Sequence, residues 1–146
     1  MRPSKTEYYL DIARSVAARS TCLRRQYGCV VVKNDRIVAT GYNGAPSGVL
    51  SCYESSICRR KNILHGTRYE LCQAVHAEAN ALLQGTAAEL EGSTVYLYGQ
   101  EMGCELAAEP CLMCKRLLIN AKVQALVNSV ATWTLQDLRD DVMEGI

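Results

Sequence analysis

The sequence predicts an α/β fold in which helices cover both faces of a mixed β-sheet. Stretches typical of helices and of strands follow one another in the order α-β-β-α-β-α-β-α, and this order favours a sheet enclosed between helix layers. The predicted first strand, Gly28–Lys33, is apolar through its interior, as in a strand covered on both faces. A chain of 146 residues is long enough for a real core, so we expect residues 1–146 to form one domain.

The N-terminal part of the chain is predicted to form a helix followed by a β-hairpin. Ser4-Lys5-Thr6-Glu7 fits a capping box, and apolar residues follow it at helical spacing. The first helix should therefore run roughly over Lys5–Arg19. Predicted strands at Gly28–Lys33 and Arg36–Gly41 flank Asn34-Asp35, so we expect a hairpin with a two-residue turn, although the favoured glycine is absent.

The C-terminal half alternates predicted helices and strands. Strong helix formers followed by a glycine indicate one helix, and a proline at or next to the first turn indicates another. A β-rich strand and an irregular polar loop separate these two helices, and a strand and a polar helix follow them. The predicted elements, in order, are a helix over Val75–Gln84, a strand over Ser93–Tyr98, a loop over Gly99–Glu109, a helix over Cys111–Asn120, a strand over Lys122–Val127 and a helix over Thr134–Met143.

The charge balance gives no sign of a strongly basic or acidic surface. Acidic and basic residues nearly cancel, leaving a net charge of +1, so no global field favours nucleic acid or a membrane surface. Residues Met1–Leu10 are polar, and no apolar run approaches membrane-spanning length. We therefore expect a cytoplasmic protein without a stable nucleic-acid or membrane partner.

Two short motifs contain the residue types that bind zinc. They are His76-Ala77-Glu78 and Pro110-Cys111-Leu112-Met113-Cys114. One imidazole and two thiolates occupy three positions of a tetrahedral Zn²⁺ and leave the fourth for water, which is the pattern of a catalytic site. The Glu78 carboxylate is then the natural proton carrier for that water. The alternative is a closed structural site with a fourth cysteine, in which Glu78 would be idle.

The spacing within each motif restricts the local structure. Residues two apart do not share a helix face, so His76 and Glu78 can converge only if His76 lies in the first turn of its helix. Cys111 and Cys114 are three residues apart and share one face, and a helix N-terminus favours their thiolate form. Both helices follow strands or loops at one edge of the predicted sheet, where ligand sites of α/β proteins tend to lie.

Four further cysteines surround a long segment without periodicity. Residues Tyr42–Leu71 are rich in turn formers at their start, and a loop of this length is either disordered or held by something else. A second, structural metal site would hold it, whereas the alternative is four buried thiols. In a reducing compartment, cysteines indicate metal ligands or buried thiols before disulfides. The four residues are Cys22, Cys52, Cys58 and Cys72.

The two zinc motifs belong to a wider pattern that extends over most of the chain up to about Val127. Its segments are Arg2-Pro3-Ser4, Ser20-Thr-Cys-Leu-Arg-Arg-Gln26, Gly41-Tyr-Asn-Gly-Ala-Pro46, His76-Ala-Glu-Ala-Asn-Ala81 and Cys114-Lys-Arg-Leu-Leu-Ile-Asn-Ala121. Together they resemble the deoxycytidylate (dCMP) deaminase family, within the zinc-dependent cytidine/deoxycytidylate deaminases. The resemblance implies a three-layer α/β/α cytidine-deaminase-like fold with a five-stranded mixed sheet, and so a fifth strand that the pattern of the tail does not show. It also implies a homo-oligomer, commonly a hexamer.

The resemblance implies a role for each matching residue at the catalytic site. His76, Cys111 and Cys114 would hold the catalytic zinc, with Glu78 as the general acid and base. The substrate contacts that it implies are Asn43 at the sugar, the Ala77 backbone at the base, and Arg25, or alternatively Arg24, at the 5′-phosphate.

Some members of the family hold a second zinc, and the resemblance implies ligands for it here. Cys22, Cys52 and Cys72 stand at the matching places, before the first strand, in the long loop and just before the His-x-Glu motif. The fourth ligand would be Cys58, with His65 as the alternative. We therefore expect Zn²⁺ as the cofactor, with one catalytic ion and a second structural ion.

The activity that the resemblance implies is hydrolytic deamination of dCMP to dUMP with release of ammonia, in pyrimidine nucleotide metabolism. Three departures from the family pattern lie near the expected substrate mouth: a longer connection from Tyr98 to Pro110, Lys122-Val123 in place of Gly-Ile, and Val127-Asn128 where a tyrosine is expected. They leave open another cytosine-, guanine- or pterin-type substrate. A non-catalytic interaction module stapled by zinc is the alternative outside the enzymes, and it would have no need of Glu78.

Overall fold

The computed structural model describes residues 1–146 as one β-sheet with helices packed against both of its faces. None of the helices is both long and apolar enough to cross a bilayer. The helices are α1 (Lys5–Ala17), α2 (Cys52–Ser55), α3 (Ala77–Gln84), α4 (Ala87–Leu90), α5 (Leu112–Ala121) and α6 (Leu135–Glu144), with a 3₁₀ turn at Tyr69–Leu71. The strands are β1 (Gln26–Lys33), β2 (Arg36–Tyr42), β3 (Thr94–Glu101), β4 (Cys104–Leu106), β5 (Ala125–Val127) and β6 (Thr132–Thr134).

The sheet is mixed, with its strands in the order β2-β1-β3-β5-β6. β3 and β5 are parallel, and the other neighbouring strands are antiparallel. β4 lies off this path and pairs with β3 in a hairpin. The three-layer α/β/α fold is confirmed, and the expected count of five strands is corrected to six because of this additional hairpin strand.

The N-terminal helix and hairpin form as predicted. The Ser4 hydroxyl accepts a hydrogen bond from the Glu7 backbone N–H at 3.1 Å, which caps α1, and the helix ends at Ala17 rather than Arg19. Asn34 and Asp35 have φ angles of 52° and 60°. Two successive left-handed residues match the right-handed twist of the flanking strands, so the turn closes without glycine.

Two glycines in neighbouring strands allow helices to approach the sheet closely. A Cβ atom at Gly28 would lie 2.5 Å from the Ala17 nitrogen of α1, and one at Gly41 would lie 2.5 Å from the Ala77 carbonyl oxygen of α3. Only glycine leaves room for backbone at this distance. Gly41 pairs with Cys29, the neighbour of Gly28, so the two glycines face opposite sides of the sheet. α1 and α3 therefore pack on opposite faces.

An apolar core fills the space on each face of the sheet. The smaller core lies under α1, and its buried members are Tyr9, Ala13, Ala17, Val30, Val32 and Tyr98. The larger core lies under α3, α5 and α6, and its buried members are Cys29, Val31, Ala39, Ala77, Ala81, Leu90, Val95, Leu97, Ala108, Leu118, Val123, Leu126 and Leu138. Burial of this apolar surface is the main force that holds the helix layers on the sheet.

One prediction for the C-terminal half is wrong, and one strand there was implied by the resemblance alone. The polar loop predicted over Gly99–Glu109 instead continues β3, turns at Met102-Gly103 and returns as β4, with Gln100 opposite Glu105. Met102 and Gly103 have φ angles of 51° and 78°, so this is again a two-residue hairpin turn. The tail contains the strand β6, which the resemblance implied and the apolar pattern did not show because it is only three residues long.

The segment between β2 and α3 has little regular structure, as predicted, but its two ends are joined. The Gly44 N–H donates to the Val75 carbonyl at 3.1 Å, and the Val75 N–H donates to the Gly44 carbonyl at 2.8 Å. Asn80 in α3 donates from Nδ2 to the Tyr42 carbonyl at 2.8 Å. These bonds fix the start of the loop beside the start of α3.

Candidate metal centre and substrate cleft

Three metal-binding side chains meet at the edge of the sheet. His76 Nδ1 lies 3.4 Å from the Cys111 sulfur and 3.4 Å from the Cys114 sulfur, and all three ligand atoms lie within 4.8 Å of one another. Zn–S and Zn–N bonds of about 2.3 and 2.0 Å at a tetrahedral angle would separate sulfur from nitrogen by about 3.5 Å. The donor atoms therefore fit one zinc ion with little movement.

Two helix N-termini bring these ligands together. His76 is the N-cap residue of α3 and Cys111 is the N-cap residue of α5, while Cys114 lies in the first turn of α5. Neither N-cap side chain makes the capping hydrogen bond to a backbone N–H that the N-cap residues of α1, α2, α4 and α6 make. The imidazole and the thiol are thus free to face each other and a metal.

Glu78 lines the same cleft as His76 and is almost completely buried, with 5% of its surface exposed. His76 has the extended backbone conformation of an N-cap residue (φ −68°, ψ 153°), which confirms that it lies where the helix opens. Burial raises the pKa of the Glu78 carboxyl above its ordinary value. A carboxyl with a raised pKa can both accept and return a proton near neutral pH.

The surroundings of the two cysteines favour the thiolate of Cys111 and the thiol of Cys114. A hydrogen bond from the Cys114 thiol, helped by His76, lowers the pKa of Cys111 to about 4, while the same bond and burial raise the pKa of Cys114. Zinc binds cysteine as the thiolate, so the surroundings favour the form of Cys111 that the metal requires.

The cleft in front of these ligands is partly open to solvent, and half of the 22 residues that line it are hydrophobic. A concave, largely apolar lining with a few polar groups is typical of a small-molecule site. The cleft also contains the predicted substrate residues, which are Arg24, Arg25, Asn43 and Ala77. The structure therefore brings every predicted catalytic and substrate residue to one cavity.

Asn43 is held firmly at one side of the cleft. It is 7% exposed, its Oδ1 accepts from the Tyr27 N–H at 2.9 Å, and its Nδ2 donates to the Arg25 carbonyl at 2.9 Å. One donor and one acceptor position of the amide remain free. Asn43 therefore fixes the backbone of the arginine segment and can still bind a ligand.

The two candidate arginines have different surroundings. Arg24 donates from Nη1 to the Arg60 carbonyl at 2.8 Å, so it is tied to the loop. Arg25 Nη1 donates to His65 Nε2 at 3.0 Å and its Nε lies 3.5 Å from the Glu101 carboxylate. Burial, followed by the charges of Arg25, Arg24 and Arg60, lowers the pKa of His65. The mouth of the cleft is therefore positively charged.

Two residues of the cleft, Tyr69 and Arg60, belong to no motif of the sequence. The Tyr69 ring meets the His76 ring edge-on, with 5.1 Å between the ring centroids. The Arg60 guanidinium carbon lies over the Tyr69 ring, 4.6 Å from its centroid, in a cation–π arrangement. Both residues belong to the aperiodic loop, where no sequence pattern distinguishes a cleft residue from an exposed one.

The four cysteines predicted to hold a second zinc line the cleft but are not gathered into a metal site. Burial, followed by the proximity of the other three thiols, raises the pKa of Cys52. No three of the four sulfur atoms lie within 4.8 Å of one another, a condition that only His76, Cys111 and Cys114 meet. All four thiols are free and half-buried.

Comparisons with known proteins match nearly the whole chain. The family model described as the cytidine and deoxycytidylate deaminase zinc-binding region matches residues 3–130. A deoxycytidylate deaminase of Mycobacterium phage D29 is 39% identical over 135 residues, which are 86% of this chain and 94% of that protein. The crystal structure of a cyanophage S-TIM5 dCMP deaminase in complex with dCMP and dUMP has a TM-score of 0.63 and 25% identity, covering 99% of this chain and 93% of that one.

Some relatives are much longer than the matched region. The deoxycytidylate deaminases of Schizosaccharomyces pombe and Saccharomyces cerevisiae are 37% and 35% identical over 86% and 88% of this chain. The chain spans only 37% and 38% of the length of these two yeast proteins.

Proposed function

This chain belongs to the cytidine and deoxycytidylate deaminase family, and we propose that it hydrolyses dCMP to dUMP and ammonia. The observation that carries the proposal is the buried Glu78 carboxyl in the same cleft as the His76, Cys111 and Cys114 cluster. A stapling metal site would have no need of a carboxyl with a raised pKa beside it. The phage relatives named as dCMP deaminases support dCMP as the substrate.

The proposed mechanism centres on proton transfers by Glu78. Zinc held by His76, Cys111 and Cys114 would supply a water molecule of lowered pKa. Glu78 accepts a proton from that water and passes it to N3 of the pyrimidine as the water oxygen bonds to C4. Glu78 then carries the second proton to the amino group, which leaves as ammonia when the C4–N bond breaks. The overall reaction consumes one water and leaves a carbonyl at C4.

The substrate is held by neighbours of the metal ligands. The free amide positions of Asn43 would bind the sugar, the Ala77 backbone would contact the base, and Arg25 would contribute to binding the 5′-phosphate. Ala77 is the first residue of α3, where backbone N–H groups have no partner inside the helix. The resemblance implies these roles, and the three residues line the cleft.

The remaining proposals concern cofactor number, assembly and location. We propose that a second, structural zinc is bound by Cys22, Cys52, Cys72 and Cys58, with His65 as the alternative fourth ligand. We also propose that residues 1–146 act as one zinc-dependent deaminase domain, that copies of the chain form a homo-oligomer, commonly a hexamer in the family, and that the protein works in the cytoplasm.

A parallel assay of purified zinc-loaded protein tests the proposed function. The protein is offered dCMP, dCTP, CMP, deoxycytidine, cytosine and guanine while released ammonia is measured. We expect the highest kcat/KM with dCMP. Ammonia release from guanine alone, or from none of the compounds, would overturn the proposal.

Glu78→Gln separates an enzyme from a scaffold. The amide keeps the size of the side chain but cannot accept the proton, so turnover should fall by about 10²- to 10⁴-fold while zinc content stays unchanged. The matched control is Glu109→Gln, which removes the same charge from an exposed carboxylate that lines the same cleft. The control should keep most of the activity.

A further inference from the structure

Arg60 is a buried cation in the cleft without a carboxylate partner. Only 6% of its surface is exposed, and it takes part in none of the five ion pairs in the chain. Its Nε donates to the Thr67 carbonyl at 2.9 Å and its Nη2 donates to the Leu64 carbonyl at 3.1 Å. Nη1 makes no hydrogen bond within the chain, so both of its N–H groups are free.

A buried guanidinium that forms no ion pair needs an explanation. Burial of a charge is costly unless an opposite charge or several hydrogen bonds replace the lost water. Two carbonyl oxygens and the face of Tyr69 offset part of this cost, but none of these groups carries a negative charge. The Arg60 guanidinium would therefore be stabilised by a bound anion.

The position also suits the far end of a nucleotide. The guanidinium carbon lies 4.6 Å from the centre of the Tyr69 ring, which lies 5.1 Å from the centre of the His76 ring, so the guanidinium is within 10 Å of the His76 ring. This span is comparable with the distance from the reacting edge of a pyrimidine to its 5′-phosphate. Arg60 and Arg25 line the same cleft.

We propose that Arg60 binds the 5′-phosphate of the substrate through Nη1 and makes the protein select nucleotides over nucleosides. This inference rests on the proposed deamination of a nucleotide at the same cleft. Arg25 has the weaker position, because 28% of its side chain is exposed and Glu101 already lies beside it, and exposed charges are screened by water and salt. Arg60 is therefore the main phosphate contact and Arg25 a supporting one.

Equilibrium binding of the product tests the assignment without requiring turnover. Calorimetry on zinc-loaded protein compares dUMP with deoxyuridine, which lacks the phosphate, for the wild type and Arg60→Gln. Loss of a charge-assisted contact in a buried site should weaken dUMP binding by about tenfold or more, while deoxyuridine binding stays within about twofold. The matched control is Lys61→Gln, which removes one positive charge from the exposed neighbouring residue and should leave both affinities unchanged.

A purely structural role for Arg60 would give a different result. If the side chain only holds the Leu64 and Thr67 carbonyls, Arg60→Gln should weaken dUMP and deoxyuridine equally, and that outcome overturns the proposal. Arg60→Lys gives a second check, because lysine keeps the charge but cannot bridge both carbonyls. The lysine variant should retain most of the preference for dUMP, and its complete loss would also contradict a phosphate contact.

The proposed role of Arg60 and the proposed deaminase activity can fail independently. A wild-type protein that deaminates dCMP, together with an Arg60→Gln variant that keeps the full preference for dUMP, would leave the function standing and remove Arg60 from the phosphate site. A wild-type protein that does not deaminate dCMP, but binds dUMP in an Arg60-dependent way, would remove the function and leave the anion site.

Discussion

The two groups of cysteines around the cleft differ in how much of a metal site exists before any metal binds. Cys111, Cys114 and His76 already have their donor atoms within 4.8 Å of one another. The second group, Cys22, Cys52, Cys58 and Cys72, lines the same cleft, yet no three of its sulfur atoms meet that condition.

The difference follows from what carries each group. The ligands of the first group lie at the ends of α3 and α5, whose apolar faces are buried against the sheet through residues such as Ala81 and Leu118. The second group lies mostly in the segment between β2 and α3, where α2 buries none of its residues. Packing thus preorganises one site, whereas the other must be assembled by its ion.

Loss of one ligand from the preorganised group should have the largest effect. Cys114→Ala removes a donor that no neighbouring side chain replaces, so we expect the catalytic zinc and essentially all deaminase activity to be lost together. Zinc content by mass spectrometry and ammonia release measure the two effects. The control is Cys104→Ala, a change at the exposed cysteine of β4, and full turnover by Cys114→Ala would contradict the site.

Loss of one ligand from the second group should loosen the loop and leave the chemistry in place. Ordering a loop costs about 1–2 kcal/mol of backbone entropy per residue, and a structural zinc with thiolate ligands can supply about 10 kcal/mol or more. We expect two zinc ions per wild-type chain and one in Cys52→Ser, with faster proteolysis between residues 43 and 76.

Alkylation of the native protein tests whether the second group of cysteines binds zinc. Cysteines that hold zinc should resist a thiol reagent until a chelator is added. A wild-type zinc content of one per chain, with Cys22 and Cys52 freely alkylated, would show that these are half-buried thiols without a metal.

Two glycine variants test whether the close packing of α3 on the sheet positions the active site. A Cβ at Gly41 would lie 2.5 Å from the Ala77 carbonyl of α3, and a Cβ at Gly28 would lie 2.5 Å from the Ala17 nitrogen of α1. Each change to alanine should destabilise the fold by about 1–3 kcal/mol through overpacking. Only Gly41→Ala should also lower kcat of the protein that remains folded, since it displaces the helix that carries Glu78.

Chemical denaturation measures the stability of both glycine variants, and kcat is then compared at a temperature where both are folded. Equal kcat values would show that the site tolerates a shift of α3, which would weaken the claim that packing preorganises it.

The smallest effect is expected at Arg25, whose charge is partly exposed. Arg25→Ala should raise KM for dCMP by roughly three- to tenfold, at or below the usual range for a charge-assisted contact because solvent screens it. KM for deoxycytidine should change far less, since that substrate lacks the phosphate. Equal effects on both substrates would remove Arg25 from the phosphate site.

The sequence was most informative where a local pattern and a structural cause coincide. The helix start at Ser4, the turn at Asn34-Asp35 and the place of His76 at a helix start follow from neighbours in the chain, and all are confirmed. Of the capping box predicted at Ser4, only the bond from the Glu7 N–H to the Ser4 hydroxyl forms. The metal ligands were predictable because zinc restricts both residue type and spacing.

The features that the sequence did not reveal depend on contacts between distant segments. β4 and β6 are each only three residues long, so each exists because a neighbouring strand offers hydrogen bonds and not because of its own apolar pattern. The burial of Arg60 depends on the carbonyl groups of Leu64 and Thr67 and on the Tyr69 ring. These contacts could not be predicted, because the loop has no periodic pattern of apolar residues.

The uncapped starts of α3 and α5 set a limit on how far this protein can be stabilised by engineering. A serine at position 111 could accept a hydrogen bond from the first turn of α5 and should stabilise the metal-free chain by about 1 kcal/mol. The same Cys111→Ser change would remove a zinc ligand and the activity that depends on it. Thermal unfolding of the metal-free wild type and of metal-free Cys111→Ser would measure this difference in stability. A higher Tm for the variant would show that α5 gives up the stability of a capping residue so that Cys111 can bind zinc.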